Sequence, residues 1–247
     1  MTQRRSRALV LDILSGLPPG RLLDIPSGDG AISEAARALG WNACELDLFP
    51  RKGMKGVQAD ACAALPFRSG TFDALVSLEG IEHFEDQTGF LRECARVLRP
   101  GGAMVLTTPN VMHLSSRVSA FWTGQRMMRQ GFVNEVSTLR ERNDDRLYHG
   151  HAYLIDAFRL RYILRVVGMR VVSFELSNPS PGSMMLAPLV PALWAATRYA
   201  IVAGRKRREK QGNRPTTPEV ERDLSKTALS PAVLFGKKLV LVAEREA

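Results

Sequence analysis

The stretch Arg21-Leu22-Leu23-Asp24-Ile25-Pro26-Ser27-Gly28-Asp29-Gly30 decides how the chain is read. An apolar run of strand length, Arg21–Ile25, enters a turn with two glycines and then a helical pattern, Ala31–Leu39, closed by Gly40. Glycines at that place let backbone N–H groups approach a ligand at a helix N-terminus. The same alternation repeats outward. Asn42–Asp47, Gly56–Asp60, Phe72–Leu78 and Ala103–Thr108 read as strands, and Gly89–Leu98 reads as a helix stopped by Pro100-Gly101-Gly102. Upstream, residues 4–15 form a leading helix ended by Gly16 and Pro18-Pro19. Downstream, Ile155–Val167 is a helix closed by Gly168, with Met169–Ser177 and Lys237–Arg245 as the last strands. Strands alternating with helices predict βαβ units and a mostly parallel sheet.

Composition narrows the class. The 247 residues are 45% apolar and 24% charged, an ordinary globular balance that excludes a disordered chain or a collagen-like repeat. Three scattered cysteines, Cys44, Cys62 and Cys94, form neither a disulfide framework nor a zinc cluster, and point to a reduced, cytoplasmic compartment. The apolar run after Arg4-Arg5 is short, broken by Asp12, and lacks a small-residue cleavage site, so a signal peptide is not expected. A net charge of +9 suggests an anionic partner or surface without naming one.

Acidic residues surround the glycine turn. Asp47 closes the second strand, at the distance that suits a carboxylate accepting hydrogen bonds from ribose hydroxyls. Asp24 lies inside the first strand, and Asp60 follows the third. Three acids would repel a pyrophosphate. They suit a ligand carrying a positive sulfonium and an amino group.

At these residues the chain resembles the class I S-adenosylmethionine-dependent methyltransferases. The resemblance rests on the glycine turn, Asp47, Asp60 with Leu65-Pro66-Phe67, Phe72-Asp73-Ala74-Leu75-Val76-Ser77-Leu78-Glu79, and Leu91 through Gly102. It implies an α/β, Rossmann-like sheet of seven strands, the last antiparallel, with helices on both faces. It implies that Asp24, Ser27, Gly28 and Gly30 hold the methionine part of the cofactor. Asp47 would hold the ribose hydroxyls, Asp60 the adenine amino group with Ala61 beside it, and Leu78 and Glu79 would line the pocket. Pro26 stands where the family usually has glycine. It forbids positive φ and removes an N–H, so the turn is expected to differ in detail while still binding.

The fourth strand runs into Glu79-Gly80-Ile81-Glu82-His83. This Glu-x-x-Glu-His pattern resembles metal-assisted O-methyltransferases of quinone biosynthesis and of small-RNA 3′ ends, in which a further histidine lies downstream. Here that place is filled by His149-Gly150-His151-Ala152-Tyr153, with His151 the better match. Glu79, Glu82, His83 and His151 are thus candidate ligands for Mg²⁺ or another divalent metal. A metal-free alternative makes His83 or His151 a general base or substrate contact, and a third reading leaves them structural. Asn110, at the end of the fifth strand, and His149 are candidate substrate contacts; a turn-capping role is the alternative for Asn110.

Two insertions interrupt the pattern in what reads as a single domain, 1–247. Residues 111–151 form an expected lid with helices of its own, rich in arginine and aromatics (Arg117, Phe121, Trp122, Arg126, Arg129, Phe132, Arg140, Arg142, Arg146). Such a lid can recognise a phosphate, carboxylate or sugar-lipid head group, or stack RNA bases. The second insertion, 178–235, holds the apolar run Met184–Ala203 and the basic run Arg205–Lys210. Two readings stand for 184–210: a helix lying on an anionic membrane, peripheral on its inner face, or a helix packed over the active-site mouth or in a dimer interface. Residues 211–231, with Gly212, Pro215 and Pro218, are expected to be a flexible connector. The expected function is O-methylation of a small or lipid-linked acceptor: a glycolipid, a polysaccharide precursor or a quinone-like molecule. RNA 2′-O-methylation ranks lower because no RNA-binding module is recognisable, and a non-catalytic binding module is the third possibility.

Overall fold

The computed structural model describes residues 2–124, 139–141 and 147–246. The main sheet has seven strands: β1 (Arg21–Asp24), β2 (Asn42–Asp47), β3 (Gly56–Gln58), β4 (Phe72–Leu78), β5 (Leu98–Pro109), β8 (Met169–Pro179) and β9 (Gly236–Arg245). A hairpin, β6 (Leu139–Glu141) and β7 (Leu147–His149), stands apart from it. The order across the sheet is β3-β2-β1-β4-β5-β9-β8. β1 to β5 run parallel, and β9 is antiparallel to both β5 and β8. This is the expected Rossmann-like α/β sheet with one antiparallel strand.

Strand periodicity sorts side chains to the two faces. Leu22, Ala74 and Val76 point to one side, where α1 (Thr2–Ser15) and α2 (Ala31–Ala38) bury Val10, Leu14, Ile32 and Ala36. Leu23 and Leu75 point to the other, against Phe90, Leu91 and Cys94 of α3 (Gln87–Val97) and Leu160 and Leu164 of α5 (Ala157–Val166). Between β1 and β4 the connections leave in opposite directions, one towards β2 and one towards β5. That switch point opens a crevice beyond the carboxyl ends of both strands.

Helix boundaries follow their caps. Asp86 accepts a hydrogen bond from the Gly89 N–H and starts α3; Asp156 accepts from Phe158 and Arg159 and starts α5, two residues after Ile155. β3 ends at Gln58 because the Asp60 carboxylate turns back to accept the Cys62 N–H.

The insertions hold α4 (Leu114–Thr123), α6 (Pro181–Met185), α7 (Val190–Lys210), α8 (Pro218–Leu229) and α9 (Pro231–Phe235). The expectation of a flexible connector at 211–231 is corrected here: most of it is α8 and the start of α9. Pro218 opens α8 at a position where the missing N–H costs nothing. Thr217 caps it by accepting the Val220 N–H, and Glu219 and Glu221 complement the positive end of the helix dipole. α7 packs against α8 and against the 3-10 turn Ala187–Leu189 before it, and none of its residues is buried. Arg126, Arg129, Phe132, Arg142 and Arg146 of the expected lid lie outside the described residues.

Candidate active site

The glycine turn is built by backbone bonds at the β1 end. The Ser27 N–H donates to the Leu46 carbonyl, and the Gly30 N–H donates to the Ser27 carbonyl. Gly30 caps α2 with φ 71°, a left-handed conformation that a side chain strains. Its α-carbon has no room either, since a Cβ there would overlap the Arg51 guanidinium. Arg51 is fixed by Glu45, which is fully buried and also pairs with Arg37 (2.8 and 2.9 Å).

Asp47 stands at the end of β2 facing this turn. One of its carboxylate oxygens accepts the Gly28 N–H (2.8 Å), and the other accepts the Phe49 N–H (2.9 Å). Asp24 is buried and accepts a hydrogen bond from Ser33 Oγ (2.7 Å). Burial pushes its pKa up to about 7, against the Ser33 hydrogen bond, which lowers it, and with help from the nearby Glu45 charge. Asp24, Pro26, Ser27 and Gly28 line a pocket of about 300 Å³ whose far wall is Leu78, Glu79 and Thr107.

The far wall carries strain and charge. Glu79 has φ 51°, one of two non-glycine residues with positive φ among those described. Such conformations cost ~1–3 kcal/mol and concentrate at functional sites. Its N–H donates to the Thr107 carbonyl, Thr107 Oγ1 donates to Glu79 Oε1 (2.8 Å), and Lys238 Nζ lies 3.0 Å from Glu79 Oε2. Lys238, Thr107 and the α1 residues Ser6 and Arg7 line this pocket and were missed in the sequence. Arg7 bridges to both carboxylate oxygens of Asp29, so the first helix is tied to the glycine turn.

A second group lies beyond β4. Glu82 is fully buried on the 3-10 turn Ile81–His83 and accepts from Thr108 Oγ1 (3.0 Å), while its Oε1 has no hydrogen-bond partner. Burial, and then the Glu79 charge, push its pKa up. His83 Nδ1 lies 3.1 Å from the Gly150 carbonyl, and the His83 and His151 rings are 5.0 Å apart. Potential ligand atoms of Glu82, His83 and His151 all lie within 4.8 Å of one another.

The expected site residues therefore divide. Asp24, Pro26, Ser27, Gly28, Leu78 and Glu79 line one pocket, with Gly30 and Asp47 bracketing the turn. Ala61 is buried and Asp60 exposed at the β3 end. Glu79, expected among four metal ligands and also as pocket lining, stands on the pocket wall with its carboxylate on Thr107 and Lys238, while Glu82, His83 and His151 gather beyond it. Of the two readings of Asn110, the geometry is that of the turn-capping one. This residue is buried, its amide donates to the carbonyls of Ala232, Val233 and Gly236, and its oxygen accepts the Met112 N–H. His149 ends β7, and its side chain is outside the described residues.

A family model described as a methyltransferase domain matches residues 2–174. The chain belongs to this methyltransferase family. Its fold is shared with solved S-adenosylmethionine-dependent methyltransferases of class I. A ubiquinone biosynthesis O-methyltransferase of Xanthomonas oryzae pv. oryzae is 33% identical over 107 residues, covering 38% of this chain and 45% of the relative. The chain thus matches less than half the length of that curated relative. Among solved structures, a SAM-dependent methyltransferase from Archaeoglobus fulgidus superposes with a TM-score of 0.55 at 15% identity, covering 98% of this chain and 96% of the other. A 1,6-didemethyltoxoflavin-N1-methyltransferase from Burkholderia thailandensis gives 0.51 at 14% identity, covering 98% and 78%. At these identities the two structures speak to the fold alone.

Two features of this pocket leave room and a polar contact for a bound cofactor. Ser27 Oγ is buried without a partner on the pocket wall, a donor and acceptor waiting for a polar ligand atom. Nothing lies within 4 Å of where a Gly28 Cβ would be, so a ligand can approach that backbone.

Proposed function

We propose that this methyltransferase acts on a hydroxyl oxygen of a small or lipid-linked acceptor, such as a glycolipid, a polysaccharide precursor or a quinone-like molecule. One observation carries the reading: the buried, half-satisfied Glu82 carboxylate gathered with His83 and His151 where β4 ends. The partial likeness to ubiquinone O-methyltransferases supports it.

The residues divide the work. Asp24, Ser27, Gly28 and Gly30 hold the methionine part, Asp47 the ribose hydroxyls, and Asp60 with Ala61 the adenine. Bound S-adenosylmethionine supplies an already activated methyl group on a cationic sulfur. The chain then has to orient the acceptor oxygen in line and keep water out, and alignment of this kind is worth effective concentrations on the order of 10⁵ M or more. Pairing with Lys238 neutralises Glu79 on the pocket wall and fixes its strained backbone. His83 or His151 accepts the acceptor's hydroxyl proton as attack begins.

As an alternative to that base role, Glu82, His83 and His151 could together hold a divalent cation that accepts imidazole nitrogen, such as Mn²⁺, since one carboxylate oxygen is unpartnered and two imidazoles stand beside it. Such an ion would lower the pKa of a hydroxyl it polarises. Its presence is checked by calorimetric titration of the protein with Mn²⁺ alone, which Glu82→Gln should weaken.

Transfer of labelled methyl from the cofactor into lipid extract, set against total RNA, tests the acceptor. The lipid fraction should be labelled, and His151→Ala and Glu82→Gln should slow transfer by about 10²-fold or more. Label in RNA would move the acceptor to nucleic acid. Cofactor binding with no labelled product in either would point to a binding module.

A further inference from the structure

The described surface carries a group of large apolar side chains that the catalytic reading does not use. Phe121 and Trp122 at the end of α4 are 80% and 77% exposed, and their rings meet edge to face. Met185 of α6 is 81% exposed, and on α7 Trp194 and Tyr199 are 55% and 76% exposed. The two insertions that bear them are joined: Ser183 of α6 bonds to His113 and Ser115 at the start of α4. Single exposed apolar residues are ordinary, but aromatics and methionines collected on adjoining insertions are not.

α7 shows which way it faces. Leu193, Thr197, Ile201 and Arg205 recur every four residues and are half-buried, with Arg205 bridging to Glu221 of α8 (3.5 Å). That row faces the protein. Pro191, Trp194, Ala195, Arg198 and Tyr199 lie on the open side. The helix then ends in Lys206, Arg207, Arg208 and Lys210, all exposed. No helix among the described residues is long and apolar enough to cross a membrane.

We propose that α4, α6 and α7 together form a docking face for an anionic lipid membrane. Charge complementarity selects this partner. The basic end of α7, on a chain of net charge +9, meets anionic headgroups, while Trp and Tyr are the side chains that settle at headgroup depth. The protein lies on the bilayer with α7 in the interface plane. This holds whether or not the acceptor is lipid-linked, so it stands or falls apart from the acceptor assignment.

The test is partition of the full chain onto vesicles of phosphatidylglycerol with phosphatidylcholine, compared with phosphatidylcholine alone, at low salt. Binding should require the anionic lipid, fall as salt rises, and shift the emission of the exposed Trp122 and Trp194 to the blue, Trp41 being already buried. The double variant Arg207→Glu/Arg208→Glu should bind at least about tenfold more weakly, each basic residue near such a surface being worth about fivefold. Trp194→Ser/Tyr199→Ser should also weaken partition, with S-adenosylmethionine affinity unchanged in both variants as the check on folding. No partition at low salt, equal partition of the charge-reversed variant, or a lipid-independent dimer that already shields Trp194 would overturn the proposal.

Discussion

In the proposed cofactor assignment, Asp24 is the residue that carries a pH signature. Burial penalises its charge and raises its pKa to about 7. A cationic ligand beside it favours the ionised carboxylate, so binding should release a proton wherever Asp24 starts protonated. Affinity for S-adenosylmethionine should therefore rise with pH through 7 and level off above it, falling by up to about tenfold per unit below. Asp24→Asn should bind more weakly and lose this dependence. Calorimetry in buffers of different ionisation enthalpy checks both, and a flat profile in the wild type would remove Asp24 from contact with the cofactor. Residues of this kind were legible in the sequence because their types and spacing repeat a known pattern. Lys238 and Arg7 were not. Each reaches the pocket from an element more than a hundred residues or a whole helix away from its partner on the wall, and nothing in local spacing marks it.

At the scale of elements, the parallel strands were readable because both of their faces are buried and they appear as short apolar runs. The second insertion was misread where proline was taken as a breaker. Pro218 and Pro231 each sit in the first turn of a helix, and the Thr217 cap with Glu219 and Glu221 gives α8 its N-terminal signature. Asn110 shows the same limit in another form. Its place at the end of β5 was visible, but not the direction of its amide, which ties β5 to α9 through the Ala232 and Val233 carbonyls and to the start of β9 through the Gly236 carbonyl. Asn110→Ala leaves those carbonyls and the Met112 N–H to find other partners. It should destabilise the fold by about 2–3 kcal/mol. The folded fraction should bind the cofactor with affinity within about twofold of the wild type, since the amide touches no pocket residue. Denaturant unfolding and calorimetry separate the two effects; a large loss of cofactor affinity with stability intact would return Asn110 to the site.

For the whole molecule, the sheet does two things at one place. Its strand order reverses between β1 and β4, and that reversal brings a glycine turn with Asp24 and Asp47 opposite the strained Glu79 and the Glu82–His83–His151 group. In the proposed function, one side takes the cationic nucleoside and the other the acceptor hydroxyl. The insertions sit outside this frame and bear the exposed aromatics and basic residues. The central claim concerns the first side, and titration of S-adenosylmethionine into the wild type and Asp47→Ala in a calorimeter tests it most directly. One molecule should bind per chain, with affinity at least about tenfold lower in the variant, as expected for the loss of a charge-assisted hydrogen bond. Absence of binding by the folded wild type, or equal affinity in the two proteins, would contradict the account.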